Sequence, residues 1–198
     1  MFYKNVSFNL VGVAVPFLIA IPAMGFIARE IGFEAFGLFT LALTISGVAS
    51  ILDLGTTKAL VREIALNVEC HKAVKKIFYT SFFFVALISI IFSVFGIFLQ
   101  DFFIEWLNIE EIPKYDLQIS IILIFSAIPF TVLSILCLAY FEGVEDFLLM
   151  NKLKIFNGVL MAILPLLFVF YANNLIGVIL GILISRIISL VLNLFFVI

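Results

Sequence analysis

The stretch Leu175–Ile198, LIGVILGILISRIISLVLNLFFVI, is apolar for long enough to cross a membrane, yet it carries a guanidinium, Arg186, near its middle. A bilayer core of about 30 Å needs about 20 apolar residues in a helix. A guanidinium held near the bilayer centre costs at least about 2.5–3.5 kcal/mol, so it normally faces a cavity or a partner group rather than lipid. This one run therefore predicts a membrane-spanning helix with a polar interior beside it.

The rest of the chain repeats the pattern. It is 65% hydrophobic, with a mean hydropathy of +1.34, and a soluble globule of that composition would lack the polar surface to cover itself. Six apolar segments predict six helices, at about residues 7–28, 37–54, 77–99, 117–140, 155–171 and 175–197. The alternation of a membrane barrel is absent, so the expected class is an all-α membrane bundle. The first segment is longer than a signal-peptide core and no A-x-A site follows it, so it reads as a retained helix. Cys70 and Cys137 suggest no disulfide framework, since one lies in a polar loop and the other within the fourth segment.

Lys and Arg are divided unevenly between alternate connections. Lys4, Lys58, Arg62, Lys72, Lys75, Lys76, Lys152 and Lys154 fall on one side, and Arg29 and Lys114 on the other. The excess of cations on the cytoplasmic side predicts a cytoplasmic N-terminus, with the 55–76 and 141–154 loops inside and the 100–116 and 172–174 loops outside. The last helix ends in apolar sequence without a cationic or aromatic anchor, so further chain is expected after Ile198.

Two connections have a character of their own. In residues 55–76, Leu60, Ile64 and Val68 recur at helical spacing, which predicts a helix lying along the cytoplasmic interface, its terminal lysines meeting anionic headgroups. In residues 100–116, Phe102, Phe103, Trp106 and Tyr115 form an interfacial aromatic belt. Asp101, Glu105, Glu110, Glu111 and Asp116 are interleaved with it as a solvated face; with no histidine and no fixed ligand spacing they give no metal signature.

Within the segments, Pro16, Pro22, Pro129 and Pro165 predict kinks whose freed carbonyls must find protein or a cavity. Gly177, Gly181 and Ser185 form a small-residue row suited to close helix contact. Ser46, Ser50 and Asp53 share one face of the second helix, and Arg186, Ser189 and Asn193 share one face of the sixth. Asp53 has a structural role available, by pairing with Lys58 or Arg62 or by capping the next helix. For Arg186 no carboxylate at matching depth in the other helices offers a pair, and lining a cavity is the reading that remains.

Enzymatic constellations are missing. The single histidine, His71, sits beside Cys70 with no third ligand for a metal, and adjacent residues on a helix do not face each other as a nucleophile and base must. No Gly-rich phosphate loop is present, no cofactor is implied, and the short loops leave no nucleic-acid surface.

Three motifs in order carry a resemblance. Arg29-Glu-Ile-Gly32-Phe-Glu-Ala-Phe36-Gly37 resembles the turn between the first two helices of bacterial polysaccharide and O-antigen flippases. Leu52-Asp53-Leu54-Gly55, followed by Ala59 and Arg62-Glu-Ile-Ala65, is similar to the end of their second helix. Glu142-Gly143 with Phe147 and Asn151 is similar to the loop before their fifth. These flippases belong to the multidrug/oligosaccharidyl-lipid/polysaccharide exporter superfamily, whose members have about twelve or more helices in two lobes, and this chain resembles the first lobe only.

The resemblance implies a flippase for undecaprenyl-pyrophosphate-linked oligosaccharide in the bacterial inner membrane, working by alternating access with a missing C-terminal lobe or a second copy of itself. A pyrophosphate crossing low dielectric calls for fixed cations, and a guanidinium grips phosphate oxygens with a fork of donors. Arg186 is the first candidate and Arg29 the second, with Ser189 and Asn193 beside Arg186. Arg29 is also explained by the helix dipole, which favours a cation in a last turn. Gly32, Gly37, Asp53, Gly55, Glu142, Gly143, Phe147 and Asn151 are expected to be structural. Other readings are a drug or small-solute antiporter of the same superfamily, which would want intramembrane carboxylates, and a polytopic polysaccharide ligase or acyltransferase, which would want a catalytic external loop.

Overall fold

The computed structural model describes residues 2–48, 55–107, 109, 112–172 and 174–197, with side chains from Ala14 onward except those of 46 and 48. The described residues form eight helices and no strand: α1 (Phe2–Ile31), α2 (Phe33–Val48), α3 (Thr56–Leu66), α4 (His71–Phe98), α5 (Gln100–Leu107), α6 (Lys114–Gly143), α7 (Phe147–Ala172) and α8 (Leu175–Val197). Five of them (α1, α4, α6, α7 and α8) are long and apolar enough to cross a membrane. The segment expected at 37–54 is represented by α2, a shorter apolar helix over its described part; Ser50 and Asp53 lie outside the described residues.

Helix boundaries follow local chemistry. Gly32, at φ +82°, turns the chain sharply from α1 into α2, a left-handed conformation that costs an L-residue roughly 1–2 kcal/mol. Gly55, at φ +79°, does the same before α3. Asp146 caps α7 by accepting the Leu149 N–H at 3.1 Å, and Asn174 caps α8 by accepting the Gly177 N–H at 2.8 Å, so each satisfies an orphan amide of a first turn.

The interfacial helix expected over 55–76 is interrupted. It ends at Leu66, Asn67 N–H closes on the Ile64 carbonyl, Cys70 N–H bonds the Asn67 carbonyl, and α4 begins at His71. Lys72, Lys75 and Lys76 therefore sit in the first turns of the long α4. Leu60 and Ile64 are buried, whereas Val68, in the turn, is exposed. The apolar face of α3 packs on α6 and α4 rather than on lipid alone, because α6 ends in Gly143, where a Cβ would stand 2.8 Å from the Ile64 Cβ.

α6 is the central helix, touched by α2, α3, α4, α5, α7 and α8. Around one side of it α1, α2, α8 and α7 close a ring, each packed on the next. Small residues allow close approach in this ring. A Cβ on Gly181 would lie 2.7 Å from the Pro165 Cα, and one on Gly158 would lie 2.6 Å from the Pro16 Cβ. The Gly177–Gly181–Ser185 row is thus buried against a neighbour, as its spacing predicts. On the outer wall the opposite holds: Phe83, Leu87, Ile91 and Phe95, one turn apart on α4, are exposed, the surface of a helix that faces hydrocarbon.

The two ends of the bundle differ. One carries α3, the start of α4 and the α6–α7 corner, with Lys58, Arg62, Lys72, Lys75, Lys76, Lys152 and Lys154. The other carries the α1–α2 turn, α5 and the start of α8. There Phe102, Trp106 and Tyr115 are exposed, while Phe103 turns inward onto Phe125, ring centroids 5.4 Å apart.

Candidate functional site

α8 crosses beside α2, α6 and α7, and its polar stripe reaches α6 and α7 through Asn193. Ser189 and Asn193 are fully buried, and Arg186 is half-buried. Asn193 is the hub of a hydrogen-bonded node. Its amide nitrogen donates to the Ser134 hydroxyl of α6 at 2.8 Å and to the Ser134 carbonyl at 3.3 Å, and its carbonyl oxygen accepts from the Asn157 amide of α7 at 3.4 Å. Three helices are tied together by one side chain in an environment where buried polar groups must be satisfied. The Asn157 carbonyl oxygen is buried without a partner.

Arg186 is different. Its Nε is buried and has no hydrogen-bond partner among the described residues. Leaving such a donor unmet costs about 1–3 kcal/mol, more for a charged group. The stripe read from the sequence thus divides in two: Asn193 is occupied in holding helices together, while Arg186 holds a buried donor free.

The other candidates lie apart. Arg29 is exposed in the last turn of α1, near the end of the bundle, and the structure does not bring it to the α8 stripe. Gly32 and Gly55 form the two left-handed turns described above, and Gly37 lies exposed on α2. At the α6–α7 corner Glu142 and Phe147 are exposed, Gly143 is pressed against α3, and Asn151 is buried. Asp53 and Ser50 lie outside the described residues, and of Ser46 only the backbone, in α2, is described. Among the described residues no group of three or more His, Cys, Asp or Glu side chains is placed to hold a metal.

Sequence reading missed Asn157 and Ser134. The signal was available, since an Asn inside the apolar run 155–171 has to be satisfied by something. Its partner is 36 residues away, and no local spacing reveals such a pair.

A ring of long apolar helices around a central one, with the Arg186 Nε buried and unmet among the described residues, defines a class: an all-α membrane bundle. Solved structures agree on the fold. An outward-facing multidrug resistance MATE family transporter of the MOP superfamily superposes with a TM-score of 0.77 at 18% identity, over 98% of this chain and 46% of that one. A MATE transporter in complex with MaL6 gives 0.78, also at 18% identity and with the same coverage. At the level of sequence, a family model described as polysaccharide biosynthesis protein matches residues 2–198. The chain is 37% identical to a Shigella flexneri protein named "Putative O-antigen transporter", over 98% of this chain and 46% of that protein. The chain belongs to this polysaccharide biosynthesis protein family, and it spans about half the length of the relatives it matches.

Proposed function

We propose that this chain supplies one wall of a flippase that carries lipid-linked oligosaccharide, attached through a pyrophosphate to a polyprenyl carrier, across the bacterial inner membrane. The observation that supports this most is Arg186, a guanidinium within a membrane-spanning helix whose buried Nε has no protein partner among the described residues. An anion with several oxygens in a plane-matched array is the chemistry a guanidinium prefers. A relative's name, "Putative O-antigen transporter", supports the glycan part of that cargo. Alternating access requires a second wall, provided by a further lobe or a second copy, against which this one rocks. The lysine-rich end faces the cytoplasm in this reading.

The test uses the complete reading frame in cells lacking their own flippase. Arg186→Ala is expected to abolish surface polysaccharide at unchanged membrane abundance, and Arg186→Lys to restore it only in part, because an ammonium offers a point charge without the fork. Loss of abundance in Arg186→Ala would instead make the residue a packing group. Normal abundance with normal polysaccharide would remove it from the mechanism.

A further inference from the structure

Between α1, α2 and α7 lies a cavity of about 250 Å³. Its wall is apolar throughout, including Pro16, Ala20 and Met24 of α1, Leu43 of α2, and Met161 and Ala162 of α7. Phe17, 64% exposed, stands at its rim, so the space opens on the outer surface of α1. An engineered apolar cavity of about 150 Å³ stays dry and takes up apolar molecules. This one is larger, lies between two spanning helices and the shorter α2, and has almost no polar wall to hold water.

Its depth is set by two contacts between α7 and α8. Asn157 bonds Asn193, and Pro165 abuts Gly181. Midway between them lie Met161 on α7 and Ile187 on α8. Arg186 is therefore level with Met161 and Ala162, although it does not itself line the cavity. The unmet Nε of the half-buried Arg186 and an apolar hollow thus stand at one depth, on the adjacent helices α8 and α7. That pairing matches an amphipath with an anionic head and a hydrocarbon tail.

We infer that this cavity takes a segment of the polyprenyl tail of the lipid-linked substrate, so that the tail is held by the lobe and does not merely trail in the bilayer. The inference rests on the proposed cargo for the identity of the tail, but its test is separate. The complete protein is reconstituted in vesicles with a polyprenyl phosphate carrying a diazirine on its chain, or with a phosphatidylglycerol carrying the same group. After irradiation, the polyprenyl probe is expected to label α1 around Phe17–Met24 and α7 around Gly158–Ala162. Ala162→Phe should reduce that labelling about tenfold, the loss expected when roughly two methylenes are denied burial. Ala20→Leu, a smaller intrusion at a half-buried position, should reduce it less. Membrane abundance and the labelling of α4 by the phospholipid probe report on folding. Labelling that both fillers leave unchanged overturns the inference, as does equal labelling of these segments by the phospholipid, which would make the cavity a general acyl-chain site. Neither result bears on surface polysaccharide, and a normal Arg186→Ala phenotype would remove Arg186 from the mechanism without touching the labelling.

Discussion

Arg186 and Asn193 lie two turns apart on one face of α8, and the structure gives them different work. Asn193 joins α6, α7 and α8 through Ser134 and Asn157. Asn193→Leu strands the Ser134 and Asn157 groups in an apolar interior, so a loss of about 1–3 kcal/mol per stranded group is expected, read as a lower melting temperature of the purified protein in detergent. Asn193→Asp would place a charge in the node and should be worse. A melting temperature unchanged in Asn193→Leu would show that the node contributes nothing to stability. Arg186 has no such set of partners, so its replacement by Met, which keeps much of the length without the charge, should leave the melting temperature unchanged or raise it. The sequence showed that the two residues share a face. It could not show which was satisfied, because Ser134 and Asn157 are distant in the chain.

At the scale of elements, the long apolar runs were legible because nothing but a spanning helix suits them, and α8 appears almost as read. The row Gly177–Gly181–Ser185 was also legible, as its period matches a helix contact. The break between α3 and α4 was not. No Pro or Gly marks residues 66–70, and the turn is closed by backbone hydrogen bonds of Asn67 and Cys70 that no residue type announces. The docking of α3 was hidden for a similar reason, since Leu60 and Ile64 would face lipid and protein with equal ease. The structure decides through Gly143. Gly143→Leu is expected to push α3 away from α6 and lower membrane abundance, whereas Gly37→Ala, at an open position, should not. Gly181→Leu meets the Pro165 backbone and should be as damaging as Gly143→Leu. Equal abundance of all three variants would contradict the close packing described.

For the molecule as a whole, the cation-rich end groups residues from α3, α4 and α7, and Cys70 lies exposed at that end while Cys137 is buried in α6. An impermeant maleimide added to intact cells should leave Cys70 unlabelled until the membrane is permeabilised, and Glu105→Cys on α5 should label at once; the reverse pattern would invert the proposed orientation. The bundle was legible in the sequence as a class, and the three motifs pointed to its family. What the motifs did not reveal was the ring of α1, α2, α7 and α8, or the hollow between α1, α2 and α7, which depend on the distant pairings of α1 with α7 and α2 with α8. The central claim is that this chain forms one wall of a two-walled flippase for a polyprenyl-pyrophosphate glycan. Its most direct test is transbilayer movement of a fluorescent polyprenyl-pyrophosphate oligosaccharide in proteoliposomes, measured with the 198-residue chain alone and with a second lobe co-reconstituted, taken from the half of the Shigella flexneri relative that this chain does not cover. The account predicts movement only when both are present, and its loss with Arg186→Ala. Movement at full rate with this chain alone, or none with both halves present and folded, would contradict it.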